Sequence, residues 1–253
     1  MTATQPASAA LFDELERIVG PQGVVRQAGA LASYESDGFL AKGRPAAVCL
    51  PRTTAEVSAL VKWAAAHDLP VIPRGAGTGL SGGATAARGG LMIGTSRMNR
   101  ILQLDPENQR AVVQPGVVNL ELTKAADQYG LYYAPDPSSQ SVSTIGGNVA
   151  ENAGGAHCLK YGVTTNHVLG MEAVRADGSV VRLGSFPEGG EQPGYDLPGL
   201  VCGSEGNLVF ATAVCVRLQP RPESVRTVLA LFDSALAAGD ACSGIISAGI
   251  VPA

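Results

Sequence analysis

No run of about 18 apolar residues occurs anywhere in the sequence, so no membrane-spanning helix is expected. The first residues, Met1-Thr2-Ala3-Thr4-Gln5-Pro6-Ala7-Ser8-Ala9-Ala10, lack the basic start and apolar core of a secretory leader. Cysteine is sparse: Cys49, Cys158, Cys202, Cys215 and Cys242 form no C-x-x-C pair and are odd in number. Neither a disulfide framework nor a zinc ribbon follows from that pattern, and a reducing cytoplasm fits it. The three histidines, His67, His157 and His167, are too few and too scattered for a metal centre or a catalytic triad, so no metal is expected. Lysine and arginine total 18 against 22 acidic residues, a net charge of −4, and they do not cluster. Phosphate-backbone recognition needs such clusters, so nucleic acid is not the expected partner. These exclusions leave small-molecule binding.

Glycine is what the chain has in quantity. Of its 32 glycines, a dense group follows the apolar pair Val71-Ile72, in Pro73-Arg74-Gly75-Ala76-Gly77-Thr78-Gly79-Leu80-Ser81-Gly82-Gly83. Glycine lets backbone N–H groups come close to a ligand, and successive amides form a nest for anions, so this run reads as a pyrophosphate cradle. It contains G-x-G-x-x-G, but no helix-length segment follows before the apolar run Leu91-Met92-Ile93. A dinucleotide fingerprint of the Rossmann kind requires that helix, so the expectation is a nest between strands. A second polar and glycine-rich tract runs from Pro135 to Gly155, and a third is Cys202-Gly203-Ser204-Glu205-Gly206-Asn207. Three tracts imply one extended ligand. Within them Arg74 could offset pyrophosphate charge, and Glu205 either accepts a hydrogen bond from the ligand or caps the next turn.

The remaining pattern is α+β, with two small subdomains enclosing the ligand. Residues 1–10 read as a tail, and Leu11, Phe12, Leu15, Ile18 and Val19 as a helix stopped by Gly20-Pro21. Thr53 and Glu56 read as a capping box opening a helix between the strands Val48–Leu50 and Val71-Ile72. Short strands follow at 91–93, 101–105 and 110–114, then a helix over 119–129. Two more strands, 168–175 and 179–183, are joined by an Asp177-Gly178 hairpin signal. A long strand over 208–218 ends at Gln219-Pro220-Arg221-Pro222, a boundary signal. Beyond it a strand is expected over 225–232 and a helix over 234–241.

In order and separation, Pro73–Gly79, Pro135-Asp136-Pro137-Ser138-Ser139, Thr144-Ile145-Gly146-Gly147-Asn148, Asn152-Ala153-Gly154-Gly155, Lys160-Tyr161-Gly162 and Gly203-Ser204-Glu205-Gly206 resemble the flavin-binding domain of FAD-linked oxidases of the vanillyl-alcohol oxidase and p-cresol methylhydroxylase type. The likeness is greatest to the D subunit of bacterial glycolate oxidase and its D-lactate and D-2-hydroxyglutarate dehydrogenase relatives. It covers about residues 45–220.

The resemblance implies FAD, with Pro73, Arg74, Gly75, Ala76, Gly77, Thr78, Gly79, Ser81 and Gly82 along the phosphates. Thr144, Gly146, Gly147 and Asn148 would lie near the isoalloxazine. Pro135, Asp136, Ser138 and Ser139 would edge the cofactor, and Asn152, Gly155, Tyr161, Gly162, Glu205 and Gly206 would line the same cavity. Thr78 stands where covalent members carry the flavin-linked histidine, so a noncovalent cofactor is implied. Val209 stands where the family usually has glycine.

The resemblance further implies oxidation of a small 2-hydroxy acid of the glycolate or D-lactate type, and partner subunits, one carrying a second flavin and one an iron–sulfur centre. Any membrane association would come through such partners. A non-catalytic flavin-binding or electron-transfer subunit of the same complex is the alternative. The implied division is an N-terminal tail and helix (1–44), an FAD-binding domain (45–220) and the start of a ferredoxin-like substrate cap (221–253), cut short before the cap's catalytic base. No catalytic residue is assigned, and a structural role is the expectation for His157.

Overall fold

A computed structural model describes residues 9–187 and 194–252; of the expected tail, residues 1–8 lie outside the described residues. Helix α1 (Ala9–Val19) stops at Gly20, whose φ of 72° only glycine adopts readily. A single 3-10 turn leads to β1 (Val24–Val25) and α2 (Ala28–Ala32). The expected strand–helix–strand unit then forms as β2 (Ala47–Cys49), α3 (Thr54–Ala66) and β3 (Val71–Arg74), and β4 (Leu91–Gly94) follows the glycine run with no helix between. The sheet order is β1-β2-β4-β3, with β4 parallel to both neighbours and β1 antiparallel to β2.

Strand alternation gives this sheet two apolar faces. Ala47, Cys49, Leu91 and Ile93 meet Leu15, Val57, Leu60 and Ala64 of α1 and α3. Val48, Ile72 and Met92 pack on the other side with Leu31 and Ala86. Each fully buried Leu or Ile contributes about 1.5–3 kcal/mol. The capping box at α3 closes differently from expectation. Thr53 Oγ1 accepts from Glu56 N at 3.2 Å, but Glu56 Oε2 accepts from Arg52 N at 2.7 Å instead of from the Thr53 amide.

The second subdomain comprises β5 (Ile101–Asp105), β6 (Arg110–Val113), α4 (Asn119–Asp127), β7 (Leu131–Tyr132), α5 (Ile145–Glu151), α6 (Cys158–Tyr161), β8 (Val168–Arg175), β9 (Val180–Gly184), α7 (Leu197–Val201), β10 (Val209–Arg217) and β11 (Gln219–Pro220). Its main sheet is antiparallel, in the order β5-β6-β10-β8-β9. Leu122, Ala126, Ile145 and Val149 of α4 and α5 cover Ala111, Val113, Met171, Val214 and Val216. The opposite face holds Val112, Ala213 and Cys215 against Phe186. Burial pushes the Cys49 thiol up to about 12 and those of Cys202 and Cys215 to about 11, so these three stay protonated and inert. The expected hairpin forms with a three-residue turn: Arg175 N bonds Ser179 O at 2.9 Å, and Gly178 takes φ 76°.

Two helices depart from expectation. α5 forms inside a tract that reads as irregular, because Thr144 caps it through Gly147 N at 3.2 Å while Ile145 and Val149 bury one turn apart. α4 ends two residues short of Tyr129, the chain turning through Gly130 at φ 67°. The subdomains are tied through α3, whose Thr54 Oγ1 donates to Glu172 Oε1 at 2.7 Å and whose Ser58 Oγ donates to Gly178 O at 2.5 Å.

β11 pairs with β7, and Arg221 N donates to Gly130 O at 2.8 Å. Past this point the expected strand over 225–232 does not form; Val228, Leu229 and Leu231 are 85–89% exposed. A strand gains its stability from cross-strand neighbours, and the described residues supply none here. α8 (Ala235–Ser247) starts at its Ser234 cap as expected and runs six residues beyond 241.

His167 lies between α6 and β8, 2% exposed, with Nε2 donating to Tyr161 O at 2.8 Å and its ring edge-on to Tyr133. Burial lowers its pKa from 6.5, outweighing the Tyr161 carbonyl, while Arg217 adds to the depression. The unfolded imidazole therefore takes up a proton at a pH where the folded one remains neutral. Stability is expected to fall as pH drops from about 6.5 towards the folded pKa, by up to about 1.4 kcal/mol per pH unit from this group. Urea unfolding at pH 7.5, 6.5 and 5.5 should show this slope in the native sequence and a shallower one in His167→Gln.

Candidate functional site

A cavity of about 360 Å³ lies where the two sheets meet. Its first wall is the run from Pro73 to Ala84, at the C-terminal end of the parallel strand β3, where α/β sheets habitually receive ligands. The second is built from Pro115, the Pro137–Ser139 turn and the start of α5, and the third from Ser204 to Ala211, where β10 begins.

The walls interlock because side chains are missing. A Cβ on Gly75 would lie 2.6 Å from Thr144 Oγ1, one on Gly146 2.6 Å from Pro115 Cβ, and one on Gly83 2.5 Å from Glu205 Oε2. Gly77 combines φ 72° with a Cβ position 2.3 Å from Arg74 Nη2, so the arginine occupies the place of a side chain there. Glycine in these tracts is thus required by close packing between walls.

Of the residues singled out from sequence, Pro73, Arg74, Gly75, Ala76, Gly77, Thr78, Gly79 and Ser81 line the first wall. Ser138, Ser139, Thr144, Gly146, Gly147 and Asn148 line the second, and Glu205 and Gly206 the third. The others stand behind these walls. Gly82, at φ 83°, sits against Phe39, and Pro135 O accepts from buried Asn119 Nδ2 at 2.9 Å. The Asp136 carboxylate holds His157 Nδ1, and Gly155 leaves no room for a Cβ beside Asp136 O. Asn152 ends α5 at φ 50° and accepts from Thr165 N at 2.9 Å. Tyr161 packs its ring on Tyr132, and Gly162, at φ 80°, abuts Asn166.

The wall also contains Leu80, Gly83, Ser204 and Val209, which lie in or beside the recognised tracts but were not assigned to the site, and residues that sequence reading passed over: Asp37, Ala84, Thr95, Pro115 and Glu151. Glu151 lies inside a tract already recognised, so its neighbours were the available signal. Asp37 is far away in sequence and carried none.

Charge on this wall is mostly negative. Among the described residues Arg74 is its only cation, against Asp37, Glu151 and Glu205. Arg74 is 8% exposed, and its guanidinium is bonded to carbonyls: Nη1 donates to Ala84 O at 3.1 Å and Nη2 to Ser36 O at 2.8 Å. Burial lowers its pKa, partly offset by Asp37, which leaves it charged. Glu151 Oε2 accepts from Ser81 Oγ at 3.1 Å. Glu205, at φ 52°, points its carboxylate at Gly83 and caps no amide of the following turn among the described residues. A bound anion would therefore be met by amides more than by positive side chains.

Four buried polar atoms on the wall have no hydrogen-bond partner: Thr95 Oγ1, Ser143 Oγ, Asn148 Nδ2 and Ser204 Oγ. Leaving such an atom unsatisfied costs about 1–3 kcal/mol, so the cavity suits a ligand carrying several donors and acceptors. Among the described residues no histidine, lysine, tyrosine or cysteine lines it, and none form a metal-ligand cluster. The arrangement can bind and orient an extended polar molecule, while its own side chains include no ready proton acceptor besides carboxylates.

A family model described as "FAD binding domain" matches residues 45–184. Over 243 residues the chain is 43% identical to the glycolate oxidase subunit GlcD of Bacillus subtilis (strain 168), covering 95% of this chain and 51% of that protein. The subunit of the same name from Escherichia coli (strain K12) is 48% identical over 87% of this chain and 44% of its own length. A D-2-hydroxyglutarate dehydrogenase from Stutzerimonas stutzeri (strain A1501) is 39% identical over 89% and 49%. The chain thus spans about half the length of the curated relatives it matches. Among solved structures, an alkyldihydroxyacetonephosphate synthase superimposes with a TM-score of 0.85 at 25% identity, over 97% of this chain and 51% of that one. Substrate-bound p-cresol methylhydroxylase gives 0.74 at 22% identity, over 86% and 45%, a likeness of fold alone.

The packing separates two glycines of the loop. Gly79 has an ordinary φ, and its added Cβ would meet only the movable end of Glu151, at 3.2 Å. Gly79→Ala should change stability by less than about 0.5 kcal/mol. Gly77→Ala should cost about 2 kcal/mol or more through left-handed strain and displacement of Arg74. Thermal unfolding of the two variants checks the contrast.

Proposed function

Since the chain belongs to the family of FAD-binding domains, we propose that the cavity holds noncovalent FAD and that the chain is the flavin-binding portion of an FAD-linked 2-hydroxy-acid oxidase or dehydrogenase. The observation that carries this reading is the seam cavity itself: three glycine-rich walls around unpartnered buried Thr95, Ser143, Asn148 and Ser204, with the Gly75–Gly79 run on the wall where a diphosphate would lie. Bound there, FAD would supply the acceptor for the electron pair leaving the substrate carbon. The residues of the chain would do the rest. The Gly75–Gly79 amides would carry the diphosphate, and Ser143 and Asn148 would place polar groups against the cofactor. Thr78 has no imidazole with which to form a covalent link.

The substrate class, glycolate or D-lactate type, is proposed from what the relatives are named for, which favours catalysis over a purely electron-carrying subunit. Partner subunits, one with a second flavin and one with an iron–sulfur centre, belong to the same proposal, as does a cytoplasmic location. No helix among the described residues is long and apolar enough to cross a membrane. We assign residues 45–220 to the FAD domain and 221–253 to the start of a second domain that would complete the substrate site.

Purified protein mixed with FAD is expected to turn yellow and to release all flavin into the supernatant on acid precipitation; no uptake, or flavin retained in the pellet, overturns the reading. Gly79→Ala should weaken FAD binding at least tenfold while remaining folded. Supplied with FAD, glycolate or D-lactate and a dye acceptor, the 253-residue chain should show no turnover, whereas the same sequence within a protein of its relatives' length should reduce the dye. In hydrogen exchange, Val228, Leu229 and Leu231 should exchange within seconds to minutes while Val112 and Val214 stay protected, which tests the boundary at 220.

A further inference from the structure

The segment from Ser33 to Gly43 has no regular secondary structure and precedes residues 45–184, those matched to the FAD-binding family. It is nevertheless laid against the glycine loop along much of its length. A Cβ on Gly38 would lie 2.7 Å from Gly79 O, one on Gly82 3.4 Å from the Phe39 ring, and one on Gly43 2.3 Å from the Ala86 carbonyl carbon. Gly43 N closes the segment on itself by donating to Glu35 O at 2.8 Å.

Two side chains fasten it. From the loop side, Arg74 Nη2 donates to Ser36 O at 2.8 Å and reaches Ser33 O at 3.5 Å, Nη1 donates to Ala84 O at 3.1 Å, and the guanidinium stacks over Tyr34, 5.5 Å from its centroid. One planar fork thus joins both ends of the glycine loop to the segment. From the segment side, Asp37 Oδ2 accepts from Ala84 N at 3.3 Å while Oδ1 accepts from Phe39 N at 2.8 Å. Asp37 itself stands in the cavity wall.

We propose that residues 33–40 are a clasp that Arg74 and Asp37 lock over the glycine loop, fixing the loop in the shape that receives the cofactor, so that both act as positioning residues and Arg74 does not act by neutralising the diphosphate. The proposal rests on the FAD reading above. Its physical basis is donor supply: an arginine whose fork is bonded to backbone carbonyls has few N–H groups left for an anion, and a carboxylate on the wall of an anion site opposes binding unless it is needed structurally.

The sign of one substitution decides between the two roles. Asp37→Ala removes a negative charge from the wall together with both acceptors of the clasp. It is expected to weaken FAD binding at least tenfold and to speed exchange of the Gly43 amide, a bond that Asp37 does not make, at least tenfold in the FAD-free protein. Arg74→Lys, which keeps the charge and loses the planar fork, should do the same, and the double variant should be little worse than either single one. The affinity lost should change little between 50 and 500 mM salt, where a direct charge contact would fade. FAD binding by Asp37→Ala as tight as or tighter than native, or unchanged Gly43 exchange, overturns the clasp. If Arg74→Lys does not fold, Asp37→Ala alone decides. If the native protein takes up no FAD, the flavin reading fails, while exchange in the FAD-free protein still reports on the latch.

Discussion

The site depends on glycine backbone coming up against the neighbouring wall at places where a side chain of its own would hold it away. Gly75 reaches Thr144, Gly146 reaches Pro115, and Gly83 lies under Glu205, each nearer than a Cβ permits. These contacts bring a loop of the parallel sheet, a cap of α5 and the start of β10 into one cavity. Glycine loses the most conformational freedom on folding, and the loss is offset only if the walls stay locked. The two-faced apolar packing of both sheets holds the strands from which the loops spring, and the α3 bonds to Glu172 and Gly178 hold one sheet against the other.

Much of this was legible in the residues. Alternation and capping signals gave β2, α3 and β3, and the three glycine-rich tracts do converge. What escaped sequence reading were matters of context. Ile145–Glu151 contains Gly146 and Gly147, poor helix formers, yet the Thr144 cap and the burial of Ile145 and Val149 outweigh propensity. Residues 225–232 have the composition of a strand without the neighbours that make one, because β-propensity is largely a preference for packing against a sheet. Arg74 reads from sequence as a residue that could offset pyrophosphate charge, because arginine beside a glycine loop commonly does, and the positioning role proposed for it rests on contacts that the sequence does not display. The carbonyl partners of Arg74 at Ser36 and Ala84 lie far apart in sequence and leave no local trace.

The charge balance of the wall gives the cavity a particular character. With Asp37, Glu151 and Glu205 on it and Arg74 bonded to Ser36 and Ala84, the diphosphate site proposed above would have to draw its affinity from backbone amides of the glycine run and from polar atoms already stripped of water. A site of this kind is selective for shape, since a misplaced anion meets carboxylates in place of amides.

One topological detail bears on how such a site can vary. Parallel strands need a long crossover, usually a helix, and here the connection from edge strand β3 back to the central strand β4 is the glycine loop and its continuation, residues 75–90. The sheet therefore sets a lower bound on its length, about a dozen residues. Deletions that approach that bound would pull on β4 itself, whereas added residues cost little in closure entropy and would be taken up as loop, so variation along this span is freer towards lengthening than towards shortening.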